Sequence, residues 1–93
     1  MPTIIQLKYI IALSNLGNFN KAAKYCNVSQ PSLSSQIKKV EEELDIIIFD
    51  RNTKPIRPTK IGLEIINQSR NVLNESRKLL EIKKNSDSVT GDF

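Results

Sequence analysis

The chain has no histidine, no tryptophan, a single cysteine and only three glycines in 93 residues, and aromatics make up just 5%. Absence of histidine removes the commonest general base and the commonest metal ligand. One cysteine cannot close an internal disulfide, and metal cages need several ligands. No apolar stretch approaches the roughly 18 residues that a membrane span requires. The N-terminus also lacks the basic-then-apolar start of an export signal. The acids lie mainly on a helix surface, and no nucleophile–base pair is visible. The expectation is a cytoplasmic chain with no membrane partner, no enzyme activity, no metal and no cofactor.

What remains is one small domain with an appendage. Hydrophobic residues make up 39% and the net charge is +4. That charge is unevenly spread. Residues 1–28 carry Lys8, Lys21 and Lys24 and no acid, whereas residues 29–50 are dominated by Glu41, Glu42, Glu43, Asp45 and Asp50. Arg51, Lys54, Arg57 and Lys60 then follow within ten residues with no acid among them. A mild mean charge fits an ordinary solvated surface, but a cationic cluster on a turn-like segment suits a polyanion.

Hydrophobic spacing predicts four helices. Thr3 and Gln6 have the spacing of a capping box, and Ile4, Leu7, Ile10, Ile11 and Ser14 follow as one amphipathic stripe. Gly17 stops this helix and Asn18 caps the next. Phe19, Ala22, Ala23 and Cys26 give a two-turn second helix whose small inner residues let a neighbour approach closely. Cys26 on that stripe reads as a small core hydrophobe rather than a redox sensor. After a break at residues 27–29, Ser29 caps a third helix, with Pro31 in its first turn. Leu33, Ile37, Val40 and Leu44 mark its buried face. Glu41, Glu42 and Glu43 crowd its C-terminal half, against the helix dipole.

Residues 46–58 read as a small hairpin. The expected strand lies near Ile48–Arg51, the turn near Asn52–Lys54 and the return strand near Pro55–Arg57, with two prolines confining that strand to an edge. Thr59 then caps a long helix to about Lys84, roughly 39 Å at about 1.5 Å per residue. Residues 85–93 are polar and read as a linker.

A short helix, a tight turn and a longer helix with a small-polar outer face form the layout of a helix-turn-helix. A reading helix needs short hydrogen-bonding side chains and few acids at its N-terminal end to enter the major groove. Gln30 has the reach to pair with an adenine edge, Ser34 and Ser35 suit base edges or phosphates, and Pro31 suits a thymine methyl. The helix N-terminus itself favours phosphate. Spacing alone serves an ordinary serine-rich surface helix equally well. The basic hairpin tips the balance. Beside a helix-turn-helix, Arg51, Lys54 and Arg57 make a wing that lies along phosphates or enters a narrow minor groove. A charged loop that merely blocks edge-strand aggregation is the competing explanation.

On the long helix Ile65, Ser69, Val72, Ser76 and Leu79 repeat in sevens, with Ile66, Leu73 and Leu80 as a second stripe. The 58-residue head is expected to be too small to cover this face. Packing against the same helix of a second chain is the natural solution, and folding back on its own domain the lesser one. A two-fold dimer sets two reading helices about one DNA turn, or a multiple of it, apart.

The stretch NFNKAAKYCNVSQPSLSSQIKKVEEELD, followed by IIIFDRNTKPIRPTKIG, resembles the N-terminal DNA-binding region of the LysR-type bacterial transcriptional regulators. Ala22-Ala23, Val28-Ser29-Gln30-Pro31, Leu33-Ser34, Gln36-Ile37, Glu42-Glu43-Leu44, Phe49-Asp50-Arg51, Thr59 and Gly62 carry the likeness, which runs from about Ile4 to Lys84. Within the family, the tail and helix pattern are most similar to the peroxide-sensing OxyR branch. The resemblance implies a mainly α winged helix-turn-helix over residues 1–58, a dimerising linker helix over 59–84, and a hinge over 85–93 toward a missing effector-binding domain. It implies that Gln30, Pro31, Ser34 and Ser35 approach bases, and that Ser29, Ser32, Lys38 and Arg51 hold phosphates or groove walls. Ile65, Ser69, Val72, Leu73, Ser76, Leu79 and Leu80 form the expected dimer interface. The expected partners are double-stranded DNA and a second copy, with tetramers in full-length forms. Two positions depart from the pattern: many relatives carry Arg in place of Ser35, and Gly often stands in place of Asp45. A rival from another class is a winged helix with a coiled-coil arm that binds protein and not DNA.

Overall fold

Thr3 opens the first helix, α1 (Ile4–Leu16), through a complete capping box. Its hydroxyl accepts from the Gln6 N–H at 3.1 Å, and the Gln6 amide oxygen accepts from the Thr3 N–H at 2.9 Å. The computed structural model describes the backbone of residues 1–90 and the side chains of residues 1–86. Gly17 ends α1 in the left-handed region (φ 65°), where its N–H donates to the Leu13 carbonyl.

The buried face of α1 differs from the expected stripe. Leu7, Ile10 and Leu13 are buried with Ala12, while Ile11 and Ser14 are half-buried and Ile4 is exposed. The reason is that α1 is surrounded. It packs against the second, third and last helices, so its covered surface is wider than one stripe and is centred elsewhere.

Helix α2 (Phe19–Cys26) is capped by the Asn18 side chain, which accepts from the Lys21 N–H at 2.9 Å. Ala22 and Ala23 are buried, and Phe19 and Cys26 pack at the margin of the core. Asn27 ends the helix with φ 59°. After a two-residue link, the Ser29 hydroxyl accepts from the Ser32 N–H and starts α3 (Gln30–Leu44). Leu33, Ile37 and Val40 have no exposure. With Ile10, Leu13, Ile48, Phe49 and Ile66 they make the centre of the single core. Asp45 closes α3 in the left-handed region at φ 54°. The Gln6 amide also donates to the Gln36 amide oxygen at 2.9 Å, tying α1 to α3.

The hairpin is present but shorter and later than expected. Strand β1 (Phe49–Asp50) pairs antiparallel with β2 (Arg57–Pro58), Phe49 opposite Pro58 and Asp50 opposite Arg57. The return strand was expected at Pro55–Arg57. Ile56 is diverted: its N–H donates to the Gly17 carbonyl at 2.9 Å, so this part of the chain is bonded to the end of α1 instead of to β1. Pairing resumes only at Arg57.

Thr59 caps α4 (Lys60–Thr90). Its hydroxyl accepts from the Gly62 N–H at 3.0 Å and donates to the Ile47 carbonyl at 2.6 Å. The helix continues past the expected end near Lys84, because the polar residues 85–90 contain no proline or glycine to stop it. The rest of the expected 85–93 hinge, residues 91–93, lies outside the described residues. The first half of α4 lies on α1, and the Arg70 guanidinium donates to the Asn15 amide oxygen at 2.9 Å. The second half projects, and the molecule reaches 58 Å in its longest dimension. Among the described residues no helix is long and apolar enough to cross a membrane, and no group of His, Cys, Asp and Glu side chains could hold a metal ion.

Candidate nucleic-acid interface

The first turns of α3 carry all four expected base-contacting side chains. Pro31 and Ser35 are exposed, and Gln30 and Ser34 are half-buried. Ser29 and Ser32 are exposed as well, with the Ser29 hydroxyl already engaged as the cap. The apolar side of the same helix is anchored by Leu33 and Ile37, so the two faces are separated by the 3.6-residue period. No acid occurs between Ser29 and Val40, so the tip of this helix is electrostatically open to phosphate.

A groove runs from this tip to the wing. Gln30 lines it together with Asn18, Asn20 and Lys21 from the start of α2, and with Arg51, Thr53 and Lys54 from the hairpin. Its charged lining is entirely cationic. Lys21 and Asn20 were not singled out from the sequence. The lone signal for them was the acid-free N-terminal third of the chain, which says nothing about which lysine faces the hairpin. Arg57 is exposed on β2 opposite Asp50. Lys38 is exposed too, but it borders a separate hollow with Glu41, Glu42, Asp45, Ile46, Ile47 and Arg51. The structure therefore gathers Gln30, Arg51 and Lys54 and sets Lys38 apart in acidic company.

The largest departure from the sequence reading is Glu41. The acids of α3 were read as surface charges, yet Glu41 is only 6% exposed. Its carboxylate accepts from the Ile48 N–H at 2.7 Å and the Phe49 N–H at 3.3 Å. It also pairs with the Arg51 guanidinium through both oxygens, at 2.9 and 3.3 Å. These contacts compensate for burying a carboxylate. The guanidinium carbon of Arg51 lies 5.6 Å from the centre of the Phe19 ring, within cation–π range. Arg51, expected to hold phosphates or groove walls, is gripped from two sides within the chain. The signal for Glu41 was positional: it lies eight residues after Leu33 and four after Ile37, on the buried stripe, and its charge masked that register.

The expected dimer residues divide along α4. Ser69 is 3% exposed, and its hydroxyl donates to the Ile65 carbonyl at 2.7 Å. Ile66 is buried, and Ile65 and Leu73 pack against the same core. Within a single chain Ser69 is thus already buried beside α1 and α3, and Leu73 is half-buried against the same core. Val72 and Ser76 lie at the margin, while Leu79, Leu80 and Ile82 are about two-thirds exposed. The head therefore covers the N-terminal part of the apolar face and leaves the C-terminal part bare.

Three packed helices, an exposed small-polar helix tip and a cationic hairpin beside it define a winged helix-turn-helix. Residues 4–63 match the bacterial regulatory helix-turn-helix proteins of the lysR family, and the chain belongs to that family. It is 44% identical over 82 residues to a hydrogen peroxide-inducible genes activator of Haemophilus influenzae, covering 88% of this chain and 27% of that protein. It is 39% identical over 79 residues to the DNA-binding transcriptional dual regulator OxyR of Escherichia coli K12, covering 85% and 26%. The chain thus spans about a quarter of the length of these curated relatives. Among solved structures it resembles a full-length OxyR of Pseudomonas aeruginosa, with TM-score 0.84, 38% identity and coverage of 88% and 28%. It also resembles a BenM DNA-binding domain in complex with catB site 1 DNA, with TM-score 0.88, 29% identity and 92% of both chains covered.

Proposed function

We propose that this chain is the DNA-binding part of a cytoplasmic LysR-type transcription regulator that grips double-stranded DNA as a homodimer and performs no catalysis. One observation carries the reading: the exposed, acid-free tip of α3 and the cations of the wing border one groove. In this reading Gln30, Pro31, Ser34 and Ser35 meet base edges, and Ser29, Ser32, Lys54 and Arg57 meet phosphates or groove walls. Lys38 reaches phosphate only from the flank, beside its acidic neighbours. The likeness to a BenM DNA-binding domain solved with DNA supports the same mode of attachment.

The exposed Leu79, Leu80 and Ile82, with Val72 and Ser76, supply the surface for a second copy. Large apolar side chains lined up on a projecting helix are an interaction surface. A two-fold dimer sets the half-site spacing, and full-length forms are expected to assemble further into tetramers.

Selection of bound sites from a random duplex pool tests the reading. The expected result is a consensus with two-fold symmetry and half-sites separated by about one helical turn of roughly 10 base pairs, or a multiple of it. Gln30→Ala should relax one base position by about 1–3 kcal/mol. Lys54→Ala should weaken all sequences alike and reduce the log–log salt slope by about 0.9. Salt-independent binding, or no duplex binding at all, favours the protein-interaction alternative.

A further inference from the structure

We infer that Arg51 is a strut rather than a phosphate counter-ion, and that Glu41 is the positioning residue that sets the wing at a fixed distance from the reading helix. The inference rests on the DNA-binding reading above and assigns the wing's roles within it.

Glu41 is on the last turn of α3, at the far end from the reading tip. Its buried carboxylate bonds both N–H groups that lead into β1, those of Ile48 and Phe49, and both terminal nitrogens of Arg51 at the β1 exit. Arg51 in turn lies over the Phe19 ring at the first residue of α2. One charge pair thus joins all three parts of the interface: α2, α3 and the wing. The other limb of the hairpin is bonded elsewhere, with Ile56 N–H donating to the Gly17 carbonyl and Thr59 N–H to the Ile48 carbonyl. The hairpin is fastened at both feet, and its exposed turn residues Asn52 and Lys54 project between them.

Charge balance leads to the same assignment. The Arg51 guanidinium is neutralised by Glu41, so the pair brings no net charge to DNA. A two-pronged guanidinium grip also depends on planar geometry that a lysine ammonium cannot copy. Arg51 therefore acts through shape, and the wing's counter-ions are Lys54 and Arg57.

The test compares duplex affinity at several salt concentrations for the 93-residue chain and for Arg51→Lys, Arg51→Met, Glu41→Gln, Glu41→Gln/Arg51→Met and Lys54→Ala. Thermal melts identify the temperature at which each variant remains folded. Arg51→Lys, which keeps the charge, should bind roughly tenfold more weakly, close to Arg51→Met, because it loses the fork. The charge-balanced Glu41→Gln/Arg51→Met variant should keep the wild-type salt slope, whereas Lys54→Ala lowers it by about 0.9. Glu41→Gln and Arg51→Met should be non-additive in the double variant, as expected for one shared contact. The inference is overturned if Arg51→Lys binds like wild type while the Glu41→Gln/Arg51→Met variant loses slope as Lys54→Ala does. It is also overturned if the Glu41 and Arg51 variants melt earlier but bind normally while folded. Failure of the wild-type chain to bind any duplex is a separate result, which removes the DNA reading itself.

Discussion

A Cβ placed on Gly62 would lie 2.0 Å from the carbonyl oxygen of Ile48 and 2.9 Å from the Thr59 hydroxyl. The start of α4 therefore touches the backbone leading into the wing with nothing between them. Backbone has no rotamer by which to retreat. Gly62→Ala should destabilise the fold by about 1–3 kcal/mol or more, as overpacking of a tight contact does. A urea titration followed by far-ultraviolet circular dichroism checks this, and an unchanged midpoint would refute the contact.

Asp45 holds the left-handed conformation at the end of α3 without glycine's freedom. An L-residue there costs roughly 1–2 kcal/mol, less for Asp than for most. A carboxylate at a helix C-terminus is also opposed by the dipole. Asp45→Gly should therefore stabilise the protein by about 0.5–1 kcal/mol, offset in part by glycine's backbone entropy. The Asp45 N–H bonds to the Glu41 and Glu42 carbonyls need no side chain and survive the change. A lower melting temperature for the glycine variant would contradict this account.

Leu79 and Leu80 carry the prediction for assembly. Leu79→Lys/Leu80→Lys alters side chains that are 69% and 66% exposed in the single chain, so the head should keep its stability. Sedimentation should show a shift from dimer toward monomer, and binding to a two-half-site duplex should weaken far more than binding to one half-site. Ser69→Ala, by contrast, should leave the dimer intact, since one protomer's own packing already covers that position. A reversed outcome would return the interface to the N-terminal half of α4.

Burial pushes the Cys26 thiol up from its ordinary value, partly countered by the nearby Lys8 ammonium. A raised pKa means a smaller thiolate fraction at neutral pH, and the thiolate is the reactive form. Alkylation at pH 7 should be slower than for a free cysteine and should accelerate at a higher pH. Mass spectrometry of iodoacetamide-treated protein measures this, and fast modification at neutral pH would argue for a reactive rather than a packing cysteine.

Sequence patterns made much of this architecture legible because the signals are local. The Thr3–Gln6 box, the Gly17 stop, the Asn18 and Ser29 caps and the 3.6-residue stripe of Leu33, Ile37 and Val40 each act within a few residues. The small-polar tip of α3 was equally visible, since a helix displays to solvent what its apolar stripe excludes. The return strand was placed too early because the Ile56–Gly17 bond joins positions 39 residues apart, and no turn rule contains it.

Local chemistry along the chain thus settles where the four helices begin and where the first three end, which face of α3 meets solvent, and that a basic hairpin follows it, because caps, periodicity and prolines act over short range. Which charges are free to meet a partner is a matter of three-dimensional neighbours. Glu41 and Arg51 are ten residues apart with nothing in the spelling to mark them as a pair. The core draws one carboxylate inward, where only the right guanidinium and two backbone N–H groups satisfy it. The division of α4 into a covered half and a bare half has the same origin, since it depends on how far α1 reaches along that helix.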